Sequence, residues 1–176
     1  MAETNFKVRQ GETWSRVISF QDSDCIPTLI ASETLVPTMY FAGTATKTGQ
    51  TSVPIYFSYE DIETKTYGRG VSKSTKTGIF GVKIYIPADE VGSCSDDSYK
   101  SRLACASNGE TWTVDTAKSD LTTSKMEAGV WKYEIRIANA VNTANTDSSR
   151  TILYGNLTIE ESSLNTTTAF EFSTPA

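Results

Sequence analysis

Hydrophobic and polar residues alternate with period two along much of the chain. The pattern is cleanest over Val130–Ile137, where Trp131, Tyr133, Ile135 and Ile137 share one face and Lys132, Glu134 and Arg136 the other. That is the mark of a strand with one buried and one solvated face. Thr13–Phe20 groups Trp14, Ile18 and Phe20, with Arg16 as the misfit, and Val53–Tyr59 aligns Val53, Ile55, Phe57 and Tyr59. Phe80–Ile86 turns Phe80, Val82, Ile84 and Ile86 inward. Ile152–Glu160 aligns Leu153, Leu157 and Ile159 around Gly155, a bulge or a point of close backbone approach. Weaker strands are predicted over Phe6–Arg9, Val36–Ala45, Thr111–Val114 and Ala169–Phe172. The predicted core is Trp14, Ile18, Phe20, Val82, Ile84, Ile86, Trp131, Tyr133, Ile135, Ile137, Leu157 and Ile159.

Turn residues separate these segments: Gln10-Gly-Glu12, Gln21–Pro27 and the hairpin loop Lys47-Thr-Gly-Gln50. A polar stretch of about 88–128 is too long for a bare loop and reads as an elaborated insertion. It holds two helix candidates, Asp97–Ala106 and Ser119–Ala128, the second running into Gly129. The tetrapeptide Gly-Glu-Thr-Trp occurs at Gly11–Trp14 and at Gly109–Trp112. The flanks do not match, so the coincidence reads as two turns entering strands and not as a tandem repeat.

Composition agrees with a sheet protein, since Thr occurs 26 times and Leu 7 times, and Cβ branching suits a pleated surface better than a helix. The 176 residues make one β domain over 1–160 and a C-terminal arm or edge strand over 161–176. No apolar run reaches the roughly 18 residues of a membrane span, and the N-terminus lacks a signal-peptide stretch. With no histidine, the Ser-His-Asp and Cys-His nucleophilic devices and imidazole zinc sites are excluded. Cys25, Cys94 and Cys105 form no CxxC pair. A net charge of -5 and a pI near 4.8 argue against nucleic acid as the main partner. The expectation is a protein that is not an enzyme and needs no cofactor or metal.

Four features carry candidate chemistry. Lys65, Arg69, Lys73 and Lys76 lie in a stretch with no acid, either a mobile solvated loop or a positive patch for an acidic partner. Asp22/Asp24 and Asp96/Asp97 are cation ligands or, more simply, caps of Asx turns. A helix over Asp97–Ala106 would carry Cys105 about 12 Å along its axis, whereas a disulfide needs Cα atoms about 4.4–6.8 Å apart. Helix and Cys94–Cys105 bridge therefore nearly exclude each other, and reduced thiols are expected in a chain without an export signal. Phe170 and Phe172 alternate in an otherwise polar terminal run, giving either an arm that adds a strand to a neighbouring subunit or an edge strand of the same domain.

In order, the chain reads Gln10-Gly-Glu-Thr-Trp14, Phe20-Gln-Asp-Ser-Asp-Cys-Ile-Pro27, Gly81-Val-Lys-Ile-Tyr-Ile-Pro-Ala-Asp-Glu90, Gly129-Val-Trp-Lys-Tyr-Glu-Ile-Arg-Ile137 and Arg150-Thr-Ile-Leu-Tyr-Gly-Asn-Leu-Thr-Ile159. This succession resembles small virion proteins of tailed phages, including the N-terminal domain of upper baseplate proteins, in which Gly is usual where Cys25 stands. The resemblance covers about half the chain. It implies an immunoglobulin-like antiparallel β-sandwich that serves as an assembly part in tail, neck, baseplate or capsid decoration. Its partners would be other virion proteins and copies of itself, with no nucleic acid and no membrane. It would be made in the host cytoplasm and reside in the virion. The alternative is a carbohydrate-binding or adhesin module, which needs exposed aromatics such as Tyr56, Tyr67 or Tyr85 lined up on one surface.

Overall fold

The computed structural model describes residues 2–68, 70–88, 92–99, 102–116, 122–139 and 149–162. Strand accounts for 55% of the described chain and helix for 6%, so the fold is all-β. In chain order the first strands are β1 (Ala2–Glu3), β2 (Phe6–Arg9), β3 (Trp14–Ser19), β4 (Ala31–Ser32), β5 (Met39–Thr46), β6 (Val53–Pro54) and β7 (Tyr56–Tyr59). Then come β8 (Ile62–Tyr67), β9 (Ser74–Ile79), β10 (Gly81–Ile86), β11 (Gly92–Cys94), α1 (Arg102–Ser107), β12 (Trp112–Val114), β13 (Gly129–Asn139) and β14 (Arg150–Glu160).

The main sheet runs β1-β14-β13-β5-β6, with β2 also on the outer edge of β14. A second sheet, β3-β10-β7, packs against it. The core between them joins Trp14, Ile84 and Ile86 of the second sheet to Val8, Ala45, Trp131, Tyr133, Ile135, Leu157 and Ile159 of the first. The alternation read from sequence holds residue by residue in β13 and β10. Ile18 and Phe20 are only half-buried, because the end of β3 lies at the rim, where both pack on the core clusters. Tyr59, aligned with the inward set by sequence, is 41% exposed at the last position of β7.

Beyond the sandwich, β4-β9-β8 forms a third sheet. The pairings of β7 with β10 and of β8 with β9 are two halves of one hairpin. It bends at Glu60–Asp61 opposite Phe80, where Glu60 N still donates to Gly81 O (3.0 Å). Thr64–Gly78 is thus a strand pair with a 3-10 turn at Gly70–Ser72, not a solvated loop. Sequence periodicity missed it because most of its side chains lie in solvent on both faces.

The N-terminal segment is fastened along β14. β1 and β2 both pair with it in parallel, Thr4 N donates to Tyr154 O, and Asn156 N donates to Asn5 Oδ1. Gly155 is the close-approach point. A Cβ there would lie 2.2 Å from Thr4 O, the same carbonyl that accepts the Tyr133 hydroxyl at 2.6 Å.

The insertion departs from expectation in two ways. Of its helix candidates only Arg102–Ser107 forms within the first, closed by Asn108 Nδ2 on Ala104 O and by Gly109 at φ +73°. The second, Ser119–Ala128, lies partly outside the described residues, and 122–126 make a single turn. Thr123 N and Ser124 N bond the carbonyls of Pro87 and Ala88, and Thr123 Oγ1 donates to Glu12 O. Donors that would propagate a helix are spent tying the insertion to the sandwich. The expected reduced thiols are likewise corrected: Cys94 and Cys105 form a disulfide, with Cα atoms 5.7 Å apart. The helix starts at Arg102, so Cys105 sits in its first turn. The chain has by then folded back on β11, which pairs with β12 through Cys94 and Trp112.

Each Gly-Glu-Thr-Trp is a turn with a left-handed glycine, φ +81° at Gly11 and +73° at Gly109, leading to a strand that begins with Trp. The coincidence is local turn chemistry.

Two expectations follow. Gly155→Ala should displace the N-terminal segment from β14 and lower stability by about 1–3 kcal/mol, the scale of overpacking, read as a fall in the denaturant midpoint. Burial pushes the Tyr133 hydroxyl from its ordinary value of 10 up to about 12. The neutral phenol is therefore favoured by the folded state. Its contribution is complete below pH 10 and is lost as pH rises from 10 through 12. Melting curves across that window should fall more gently for Tyr133→Phe than for the parent chain.

Candidate interaction surfaces

The basic segment is the distal half of the bent hairpin. Lys65 and Lys76 stand directly opposite each other across β8 and β9, an arrangement in which like charges repel. The side chains relieve it by diverging. Lys65 Nζ lies 3.3 Å from Glu63 Oε2 and 5.0 Å over the Phe80 ring. Lys76 Nζ donates to Pro27 O at 3.3 Å and sits 5.0 Å over the Tyr67 ring. Both cations are thus engaged within the hairpin and its base. Lys73 is exposed beside the tip, where Val71 is fully exposed. Arg69 lies outside the described residues, as do Phe170 and Phe172.

On the opposite face of the hairpin, Thr64 meets Thr77 and Thr66 meets Thr75 through their hydroxyls at 3.0 and 3.4 Å. Two Thr-Lys-Thr triplets, visible in the sequence, alternate a threonine face with a lysine face. Asp22 Oδ1 accepts Asp24 N and Ile26 N, both at 2.9 Å, and Asp96 Oδ1 accepts Ser98 N. These acids cap turns, the simpler of the two expectations. Cys25, in the turn held by Asp22, has φ +60°, a conformation that favours glycine.

The outer face of the main sheet carries a shallow polar depression of about 800 Å³, lined by Thr44, Thr46, Lys132, Glu134, Tyr154 and Asn156 among others. Tyr154 is 37% exposed there, and Glu134 accepts the Thr151 hydroxyl and pairs with Arg136. The three tyrosines named from sequence do not form one line. Tyr56 and Tyr85 are cross-strand neighbours with ring centroids 5.7 Å apart, and burial, then Asp115, then Tyr85 raise the Tyr56 hydroxyl above its ordinary pKa. Tyr67 stands apart on the hairpin under Lys76.

A second recess is apolar. Met39, Phe41, Phe57 and Val82, rimmed by Tyr40 and Tyr59, enclose about 280 Å³ where the two sheets diverge. Phe41 and Phe57 stack at 5.4 Å. Among the described residues, Met39–Ala42 pairs with β13 and Phe57–Tyr59 with β10, each on one side, and their other sides border this recess. Sequence alternation placed these residues on strands. It could not show that two edges from different sheets would border one opening.

No family model matches the chain, and no curated protein matches it. Among the described residues, no helix is long and apolar enough to cross a membrane, and no three His, Cys, Asp or Glu side chains gather as a metal site.

Val71→Ser and Lys73→Ser, at the exposed tip, should each change stability by less than about 0.5 kcal/mol. Lys76→Ser removes a hydrogen bond and a ring contact and should cost about 1 kcal/mol. Chemical denaturation of the three variants checks the contrast.

Proposed function

We propose that this chain is a non-enzymatic structural component of a tailed-phage virion, an immunoglobulin-like sandwich that attaches to other virion proteins and to its own copies. The observation that carries this reading is that, among the described residues, Met39–Ala42 and Phe57–Tyr59 each pair with a strand on one side only, with Tyr40, Tyr59 and Ile62 each at least 41% exposed nearby in the chain. Free edges are aggregation liabilities in solution, and proteins ordinarily blunt them with charge or cover. In a particle they are covered by neighbours. The projecting hairpin, with Val71 and Lys73 at its tip, offers a further contact. Cys25 adds support: the resembled pattern carries glycine at the position where this chain adopts φ +60°. On this reading the chain folds in a reducing cytoplasm, and its Cys94–Cys105 bridge closes once the particle has left the cell.

Particles purified by density gradient from cells carrying this sequence should contain the chain at a fixed copy number, measured by quantitative peptide mass spectrometry. Its absence from such particles sinks the proposal.

The polar depression on the main sheet favours a second reading, a glycan-binding module. An aromatic face beside amide, ammonium and carboxylate groups, as in Tyr154, Asn156, Lys132 and Glu134, suits a sugar ring and its hydroxyls. Saturable binding of bacterial surface polysaccharide, lost in Tyr154→Ala, together with absence from particles, would put this reading in first place.

A further inference from the structure

Among the described residues, β8 pairs with β9 alone, so its other side is an outer edge of the third sheet. Charge is unevenly placed along this edge. Glu60, Asp61 and Glu63 stand at its base, Lys65 follows, and Lys73 lies beside the tip. Glu60, Asp61, Glu63 and Lys73 are exposed, and the side chains of Glu63 and Lys65 are 57% and 39% exposed. Lys65 is paired with its own Glu63 at 3.3 Å. Glu60, Asp61 and Lys73 take part in none of the ion pairs among the described residues. Charges on an edge strand ordinarily discourage a further strand. An edge that is acidic at one end and basic at the other repels a parallel copy of itself and attracts an antiparallel one.

The positions of the charges select a register. A two-fold axis through Thr64 sets Thr64 opposite itself and the Glu63 of each copy opposite the Lys65 of the other. Ile62, 50% exposed in the single chain, then meets Thr66 of the second copy, a pair of β-branched side chains. The neighbouring registers, centred on Glu63 or on Lys65, oppose like charges at the axis. Beyond the strand, the Glu60–Asp61 bend comes beside the tip of the second copy, where Lys73 is exposed. On the other face, Thr64 and Thr77 already meet hydroxyl to hydroxyl at 3.0 Å, and the pairing continues that row of threonines into the second copy.

Resting on the assembly reading above, which brings copies together, we propose that β8 is a dimerisation edge whose partner is β8 of a second copy, antiparallel and centred on Thr64. The same patch serves both copies, so the contact is isologous and closes at two. Pairing also covers an edge that is open to strand addition in the single chain. The contact is small and owes its register to charge, so salt weakens it.

Sedimentation equilibrium on the full chain tests this, carried up to roughly 0.5 mM because a small interface is a weak one. At low salt the parent should pass from 19.2 kDa to a dimer of about 38 kDa, twice 19.2 kDa, and grow no further. The dimer fraction should fall several-fold at about 1 M salt, where the screening length is roughly 3 Å. Glu63→Lys and Lys65→Glu each set like charges opposite at both positions, so each variant alone should stay monomeric. Lys65→Glu also removes the like charge facing Lys76 across the hairpin, and melting curves check that both variants are folded. An equimolar mixture of the two should dimerise, because each strand then carries the charges the other lacks. The double exchange Glu63→Lys/Lys65→Glu should dimerise by itself. The proposal fails if the parent stays monomeric, if either single variant dimerises as the parent does, or if the mixture or the double exchange stays monomeric. Where a single variant melts far below the parent, the double exchange decides: a dimer upholds the interface and a monomer overturns it. Particles that contain the chain while the parent stays monomeric would overturn this interface and leave the virion reading intact. Dimers as described, with particles lacking the chain, would do the reverse.

Discussion

Three aromatic rings hold the two sheets together. Phe6 from the edge of the main sheet, Tyr133 from its centre and Trp14 from the second sheet meet with centroids 5.6 to 5.7 Å apart, all tilted to one another. Trp14 and Tyr133 are almost wholly buried, and the tilted arrangement is the one that ring quadrupoles favour. Because the rings come from strands distant in sequence, their contact fixes the distance and stagger of the sheets. It also fixes where the N-terminal segment must run, since the Tyr133 hydroxyl needs an acceptor inside the core and finds it in Thr4 O.

From that joint the architecture spreads outward with decreasing density. Gln10 is buried; its Nε2 donates to Met126 O and its backbone N to Glu160 O, so one residue draws the insertion and the end of β14 to the same place. Thr123 does similar work from the insertion side. Among the described residues, the disulfide unit of β11, α1 and β12 has no share in either core cluster. It is stabilised by its own short ring, in keeping with the loop-closure entropy that a bridge removes from the unfolded chain. The bent hairpin is anchored through Ile79, which packs with Ile30, Ala31, Met39 and Val82 in a second core cluster.

This gradient sets what the molecule can do. One end of the sandwich is closed by Gln10, Glu160 and the insertion. At the other, the sheets diverge over Phe41 and Phe57, and among the described residues Met39–Ala42 and Phe57–Tyr59 pair with a strand on one side only. A fold whose centre is fixed by interlocked rings and whose open end presents backbone suits static attachment, because adding a strand demands nothing of the core. The lysines of the hairpin fit the same division. Two are engaged by local partners, and the tip alone is left to meet another surface.

By itself the sequence determined the strands whose two faces meet different surroundings. Buried residues alternate with exposed ones in β13 and with half-buried ones in β10, and such contrast writes a period of two into the chain. It also located Gly155 as a point of close approach and the turn at Asp22, because short-range hydrogen bonds and the lack of a Cβ are local properties. The β8–β9 hairpin was not legible, since strands solvated on both faces have no reason to alternate. The second helix candidate fell to Pro87 and Ala88, which capture its backbone donors from more than thirty residues away. The disulfide turned on where α1 begins: at Arg102 and not at Asp97. The outcome at Phe170 and Phe172, on the terminal segment, lies outside the described residues. The recess between β5 and β7 belongs wholly to tertiary structure: which strand edges go uncovered depends on how sheets pack, and no residue's neighbours in sequence encode that.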